Sequence, residues 1–376
     1  MPHAAPRFDV AVVGLGPVGG ALAALLGERG VRVLVLERAT AAHTIPRAAH
    51  LDGHALRVLA EAGVSVDGRP LDGFDLVDRA GRLLLRGRPV EAPPPSFPVG
   101  LLVHQPTVEH ALRQRLAALG VEVRLGHEVR QVSDDGTVTG VGPEGPFDVQ
   151  AGLVVGCDGA RSVVREAIGG DLLGGGFEQG WLVVDVLLKR PVDLPDRLLQ
   201  IADPERPTTV VPFADPRRRW EFRLRPGEDA EAMVQPEAVR ALLAPHVDPE
   251  AVEVERAAVY VFHDLVASRW RRGRLVVAGD AAHQMPPFLG QGLGAGLRDV
   301  RALAPRLADI VGGASLDTLD GYEAERRPHV EATIRQAVRL GRLLTLPEPW
   351  ATLRDRALRL GHRVPPLHRL LMDVRG

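Results

Sequence analysis

The sequence predicts an α/β protein in which a Rossmann-like domain, discontinuous along the chain, carries an inserted and mostly antiparallel β-sheet. Three observations lead to it. An apolar, β-branched run from Asp9 to Val13 enters Gly14-x-Gly16-x-x-Gly19 and then an Ala- and Leu-rich stretch, the pattern of strand, tight turn and helix. After the glycines at 174–176 the texture changes to β patterns broken by proline-rich turns, from Trp181 to about Phe262. A buried-strand pattern returns at 274–278, followed by Gly279-Asp280 and a long helix beginning near Gly292, so the first domain resumes.

The remaining elements follow in order. Residues 31–36 alternate and end in Glu37, which reads as the second strand. A helical pattern covers about 53–61, and 74–85 reads as a hairpin turning at Ala80-Gly81. Residues 105–119 show helical apolar spacing, with Thr107 as the expected N-cap. Residues 121–125, 129–133, 138–141 and 147–151 read as strands joined by Gly and Asp turns, before the buried run 153–156 that stops at Cys157-Asp158-Gly159. One helical piece near 237–243 lies within the sheet region, and Tyr322 with Glu325-Arg326-Arg327-Pro328 reads as helix packing and a helix end. The expected organisation is a nucleotide domain over 1–72, 96–175 and 265–345, a substrate sheet domain over 73–95 and 176–264, and a helical tail over 346–376.

Composition narrows the chemistry. Among 376 residues, 46 Lys and Arg against 48 Asp and Glu give a net charge of −2, which argues against a protein that tracks nucleic-acid phosphates. The 45% hydrophobic and 25% charged residues are ordinary for a soluble globular chain. A single cysteine, Cys157, excludes an internal disulfide, a Cys-x-x-Cys redox pair and a zinc site built on several thiolates, and it fits a reducing cytoplasm. The apolar stretch 10–26 is interrupted by Gly14, Gly16, Pro17, Gly19 and Gly20, so neither a signal peptide nor a membrane span is expected. His50-x-Asp52-x-His54 lacks further ligands at metal-site spacing, and no metal is expected. With one lysine, Lys189, and two tyrosines, Tyr260 and Tyr322, mechanisms that require either residue have few candidates.

The glycine motif meets the context tests of a dinucleotide fingerprint. Gly14 permits the tight turn, Gly16 the approach of a pyrophosphate, and Gly19 the packing of helix on strand, while Pro17 and Val18 open the helix whose N-terminus favours negative charge. Glu37, 18 residues after Gly19 and followed by Arg38, is placed to accept two ribose hydroxyls. The motif alone does not distinguish FAD from NAD.

Two later motifs do. Gly156-Cys157-Asp158-Gly159-Ala160-Arg161-Ser162 with Val164-Arg165, and Gly279-Asp280-Ala281-Ala282-His283 with Pro286-Pro287 and Gly290-Gln291-Gly292, resemble the internal signatures of the class A FAD-dependent aromatic hydroxylases, the 4-hydroxybenzoate hydroxylase fold. Residues 279–299, and Trp220-Glu221-Phe222 with Pro226-Gly227-Glu228-Asp229, are most similar to the 3-(3-hydroxyphenyl)propionate hydroxylase group. The resemblance spans about Asp9 to Leu343. It implies an FAD-binding domain of the glutathione-reductase type. Glu37 would hold the adenosine ribose, Arg47 would lie near the pyrophosphate, Gln105 would bond the cofactor, and Asp158 with Gly159 would support cofactor and nicotinamide contacts. Gly279 and Asp280 would meet the ribityl chain. Gly290, Gly292, Leu293 and Gly294 would bring backbone N–H groups to the reduced flavin, with Pro286 and Pro287 as a rigid wall beside its reactive C4a edge.

The implied activity is single-component hydroxylation of a phenolic substrate with NADH or NADPH as transient reductant and O2 as co-substrate, through a flavin C4a-hydroperoxide. The protein's share would be positioning, charge stabilisation and exclusion of water. The substrate would lie between the flavin and the sheet, against Val211, Pro212, Trp220 and Phe222, with His263 or His50 assisting loss of the phenolic proton. Two alternatives stand beside it: the same flavin chemistry giving epoxidation or Baeyer-Villiger oxidation of a polyketide-like product, and a flavin-binding protein without turnover. The partner expected is a small aromatic molecule, not nucleic acid or membrane, for a monomer or homodimer in the cytoplasm. Relatives of this kind often continue into a thioredoxin-like domain, and the 376 residues read as a minimal two-domain member.

Overall fold

The computed structural model describes residues 8–41, 49–71, 73–87, 97–213 and 216–363. Strand Phe8–Val13 is the spine of a parallel sheet. It pairs with Val33–Glu37 on one side and Gly145–Gly156 on the other, and Leu275–Val277 joins the far side of Gly145–Gly156. The last strand thus returns to the sheet after the whole inserted domain. These strands read as near-continuous apolar runs because helices cover both faces of a parallel sheet. Their residues Val10, Ala11, Val12, Leu34, Val35, Val154, Val155 and Val276 are all fully buried.

The second sheet is built on two long strands, Leu172–Leu188 and Val252–Ala267, antiparallel along nearly their whole length. Arg217–Arg223 pairs with the first of them, followed outward by Thr208–Val211, Leu198–Ile201 and the hairpin Phe74–Val77 with Leu83–Gly87, whose turn holds Gly81 at φ +75°. The two long strands cross the borders drawn at 175/176 and 264/265, so the insertion is stitched to the nucleotide domain by continuous strands. Helix Pro236–Leu243 closes the sheet's outer face over Leu182, Val184, Val186, Trp220 and Phe222.

Three local expectations change. Residues 147–151 and 153–156 form one strand, Gly145–Gly156, because its outer half pairs with Thr137–Gly142 while its inner half enters the parallel sheet. The helix expected from an N-cap at Thr107 begins at Gln105, with His104 in the cap position and Pro106 in the first turn, which suits proline because the first N–H groups lack intrahelical partners. Pro328 does not end a helix: Asp320–Leu344 continues through it, carried by buried Tyr322 and Arg326 before it and Val330 and Ile334 after it.

Beneath the Gly279 turn sits a fully buried carboxylate, Asp299. It accepts from the Gly279 N–H at 3.1 Å and from Arg326 Nε at 3.0 Å, and it lies 2.6 Å from His283 Nε2. Tyr322 donates to the Val277 carbonyl at 3.1 Å and packs on Trp270, which also stacks on His283. Burial opposes the charge of Asp299, but His283, Arg326 and the Gly279 N–H outweigh it and hold the group below the usual carboxylate range. Asp299→Ala is therefore expected to cost about 3–5 kcal/mol in urea unfolding, since it strands a buried arginine. The sign with pH follows from the lowered value: the stabilisation is present above the unfolded-state pKa of about 3.9 and is lost as pH falls through the folded one.

Candidate active site

The first glycine turn is closed on the protein side and open on the other. Gly14 has φ +99°, and a methyl there would fall 2.5 Å from the Cys157 carbonyl oxygen; one at Gly19 would fall 2.1 Å from the Gly14 oxygen. A methyl at Gly16 would meet nothing within 4 Å. Gly14 and Gly19 are thus required by the fold itself, whereas Gly16 leaves a clear approach to the start of helix Pro17–Gly27, whose N-terminus no side chain caps. Val18 packs so closely under Gly279 and Gly296 that a methyl on either would lie 3.2 Å or 2.7 Å from it. Glu37 ends its strand with Oε2 accepting from the Leu15 N–H at 2.7 Å and Oε1 from the Ala39 N–H at 2.8 Å. Each oxygen retains a second acceptor position, which suits a vicinal diol. Arg38 is exposed beside it, and Arg47 lies outside the described residues.

The second signature holds itself together. Asp158 accepts from Ser162 Oγ at 2.5 Å and the Val163 N–H at 2.8 Å, and Ser162 caps helix Val163–Ile168 through the Arg165 N–H. Asp158 therefore shapes the Gly159 turn with its carboxylate already engaged, and burial raises its pKa. Arg165 ties this signature to the next by donating to the Ala160 and Ala281 carbonyls. Asp280 is exposed at the turn above Asp299. Gln105 is buried at its helix start and donates to Glu109 at 2.7 Å.

The segment from Pro286 to Gly294 is a braced turn. Pro287–Leu289 forms a single 3-10 turn, Gly290 follows at φ +63°, and helix Gly292–Val311 begins with no side-chain cap, leaving the N–H groups of Leu293 and Gly294 without helical partners. Behind it, Asp52 caps helix Gly53–Glu61 through the Ala55 N–H and pairs with Arg298, which also donates to Gln291 Oε1 at 3.2 Å. His50 is pressed between Gly290 and Gly100: methyls there would fall 3.0 Å from its Nδ1 and 2.5 Å from its Nε2. Burial pushes the His50 pKa down, and its ring bonds the Gly290 backbone, so it supports the turn from behind.

The sheet wall is read correctly only when strand alternation is assigned to faces. Trp181 meets Phe288 of the Pro286–Gly290 turn, ring centres 5.5 Å apart, and Phe262 at 6.5 Å; Val211 clusters with Leu102 and Phe213. That face looks toward the nucleotide domain. Val211 lies on it, with Pro212 buried at its side. Trp220 and Phe222, expected as substrate walls, lie on the opposite face, fully buried under helix Pro236–Leu243. His263 is also turned away, following Val259, which packs on that outer core, and Val261, which is 47% exposed. The inward positions are Glu221, flanked in sequence by the two misassigned aromatics, and Tyr260, whose ring carries Arg256 at 4.9 Å. The Trp-Glu-Phe alternation already required its middle residue to face the other way; what sequence left open was which way is inward. Arg298 and Asp299 had no local signal at all.

The open space at Gly16 makes a separable prediction. Gly16→Ala should fold with an unchanged melting temperature and bind FAD more weakly, measured as flavin retained after gel filtration. Gly14→Ala should lose more than about 1–2 kcal/mol of stability, because its backbone conformation is closed to L side chains.

Residues 7–337 match the family described as FAD binding domain. The chain is 40% identical over 352 residues to a probable NADH-specific resorcinol 4-hydroxylase of Rhodococcus jostii, covering 90% of this chain and 66% of that one. It is 39% identical over 384 residues to a 3-(3-hydroxy-phenyl)propionate/3-hydroxycinnamic acid hydroxylase of Burkholderia vietnamiensis, covering 98% and 69%. The chain thus spans about two thirds of the length of these curated relatives. Among solved structures, p-nitrophenol 4-monooxygenase from Pseudomonas putida superposes with a TM-score of 0.88 at 29% identity, covering 98% of this chain and 97% of that one. With its glycine turn, its two internal signatures and its inserted sheet, the chain belongs to the FAD-binding-domain family, among the FAD-dependent aromatic hydroxylases.

Proposed function

We propose that this protein hydroxylates a small phenolic substrate, using NADH or NADPH and O2 within a single polypeptide. The observation that carries the reading is the apposition of the braced Pro286–Gly294 turn, through Phe288 on Trp181, to a sheet face that also bears Tyr260 and Glu221. Relatives at 36–40% identity are named as hydroxylases of resorcinol or of hydroxyphenylpropionate, and both are phenols.

When bound, FAD supplies the activation of O2 and the transfer of one oxygen atom to the ring. The chain's residues do the rest. Gly16 and the start of helix Pro17–Gly27 receive the pyrophosphate, and Glu37 receives the adenosine ribose. Asp280 takes a ribityl hydroxyl, and Gln105 bonds the cofactor from the start of its helix. The N–H groups of Leu293 and Gly294, left without helical partners, would stabilise the negative charge that the flavin gains on reduction, where fixed donors need no reorganisation. Pro286 and Pro287 would form a wall that cannot rotate, and Phe288, packed on Trp181, would help keep water from the substrate. Asp52, Arg298 and His50 hold the turn in register. Asp158 works through the Gly159 turn.

The test uses the FAD-loaded chain with NADH, then NADPH, and a panel of phenols that includes resorcinol, 3-(3-hydroxyphenyl)propionate and p-nitrophenol. At least one phenol is expected to accelerate coenzyme oxidation and to yield a ring-hydroxylated product that incorporates one atom of labelled O2. Coenzyme oxidation indifferent to every phenol, or a ring-expanded ester as product, would overturn the reading.

A further inference from the structure

Charges on the inner face of the substrate sheet fall into two groups. Arg219, Asp185 and Arg256 stand opposite one another on three adjacent strands. Arg219 Nε donates to Asp185 Oδ1 at 2.7 Å and Arg256 Nη1 to Asp185 Oδ2 at 3.3 Å, while Arg256 also reaches the Tyr260 hydroxyl. Arg219 further covers the Phe213 ring at 5.3 Å. This cluster is satisfied by its own members.

Glu221, two residues along the same strand, is treated differently. It lies opposite Val183 on one side and Thr209 on the other. Neither helps it: the Thr209 hydroxyl donates to Gln200 Oε1 at 2.9 Å. The nearest cation is Arg219, whose Nη1 is 3.9 Å from Glu221 Oε1, too far for a hydrogen bond. Its side chain is only 15% exposed. The other charged groups around it are Asp185 and Arg256 in the cluster, Arg223 two residues on, which forms no ion pair among the described residues, and His104, which lies close enough to Asp185 and Arg219 to feel their charges and whose pKa burial lowers. Glu221 is thus a largely buried carboxylate that accepts no hydrogen bond among the described residues, on the sheet face that also carries Trp181, the residue packed on Phe288.

We propose that Glu221 is the group that accepts the phenolic proton of the substrate, an inference that rests on the hydroxylase reading above. The substrate O–H bond breaks, the proton forms a new O–H bond on the Glu221 carboxylate, and the electron pair left on oxygen enriches the ring for attack on oxygen. As the ring regains aromaticity the C–H bond of the attacked carbon breaks and its proton leaves to solvent, while the proton held on Glu221 returns to the phenolic oxygen, so the carboxylate is restored in each turnover. Burial, with Asp185 adding to it, lifts the Glu221 pKa above the usual carboxylate range despite Arg219 and Arg256, which narrows the gap to a phenol of pKa about 10. It also favours a substrate that presents a hydroxyl at this wall over one that presents a carboxylate, which Glu221 would repel.

The experiment compares the FAD-loaded wild type with Glu221→Gln and Glu221→Asp, using resorcinol as the probe. Binding is read from the flavin spectrum and turnover from NADH or NADPH oxidation across pH. In the wild type the resorcinol-stimulated rate should rise with pH as Glu221 deprotonates, over a range above that of an ordinary carboxylate. Glu221→Gln should lose this limb and about 10²-fold in kcat, with FAD content retained and resorcinol affinity changed by less than about tenfold. Glu221→Asp should keep the limb at reduced rate, and it decides the matter if the glutamine variant loses FAD. A glutamine variant with the wild-type limb and rate, or an aspartate variant without the limb, overturns the assignment while leaving the hydroxylase reading intact. A wild type that neither binds nor responds to resorcinol or any other phenol in the panel overturns both.

Discussion

The buried carboxylate of Asp299 fixes the point at which the chain returns to its first domain. Strand Leu275–Val277 is only three residues long and arrives after an insertion of roughly a hundred, so its ladder alone is a weak anchor. Asp299 reaches back from helix Gly292–Val311 to the Gly279 N–H, and it holds His283 and Arg326 in the same grasp. One side chain thereby joins the returning strand, the turn after it, the helix that opens toward the flavin site and the long helix Asp320–Leu344. Everything the Pro286–Gly294 turn does presupposes this junction. Its desolvation cost is large, and it is met by three donors rather than by apolar packing.

The inserted sheet uses its charges in the opposite way. Arg219 and Arg256 close on Asp185, so two cations and one anion are held on the sheet face that also carries Trp181 and Phe262. Such a cluster does little for net stability but imposes a single register on three strands, because a slip of one residue would bury unpaired charge. Glu221 sits just outside that arrangement, and its isolation follows from the same geometry: the arginine nearest to it is already committed.

Much of the fold was legible in the chain. The glycine turn, the resumption at 274–278 and the change of texture after 176 located both sheets, since parallel and antiparallel strands leave different hydrophobic patterns. The acid at Glu37 and the glycines of the last turn were equally visible. What was not legible depended on faces and on distance in sequence. Trp220 and Phe222 are large and apolar, and they suit a substrate wall and a core equally well; only helix Pro236–Leu243 lying over them settles that they belong to the core. The pairing of Arg298 with Asp52 joins residues 246 apart, and no local pattern announces it. Pro328 misled for a related reason, as local preference yielded to packing along Asp320–Leu344.

Strand Val252–Ala267 pairs along one edge with the wall strand that carries Trp181 and, near its C-terminal end, along the other edge with His283-Gln284, two residues before Pro286. The wall strand and the segment that leads into the Pro286 turn are therefore held on one common strand and not on separate jaws. Tyr260, opposite Trp181, and Leu265, opposite Gln284, are separated along this strand at about 3.3 Å per residue. Substrate range in such a frame changes by exchanging side chains on fixed rungs. Inserting or deleting one residue in that stretch would shift the wall by a full rung and also exchange its inner and outer faces.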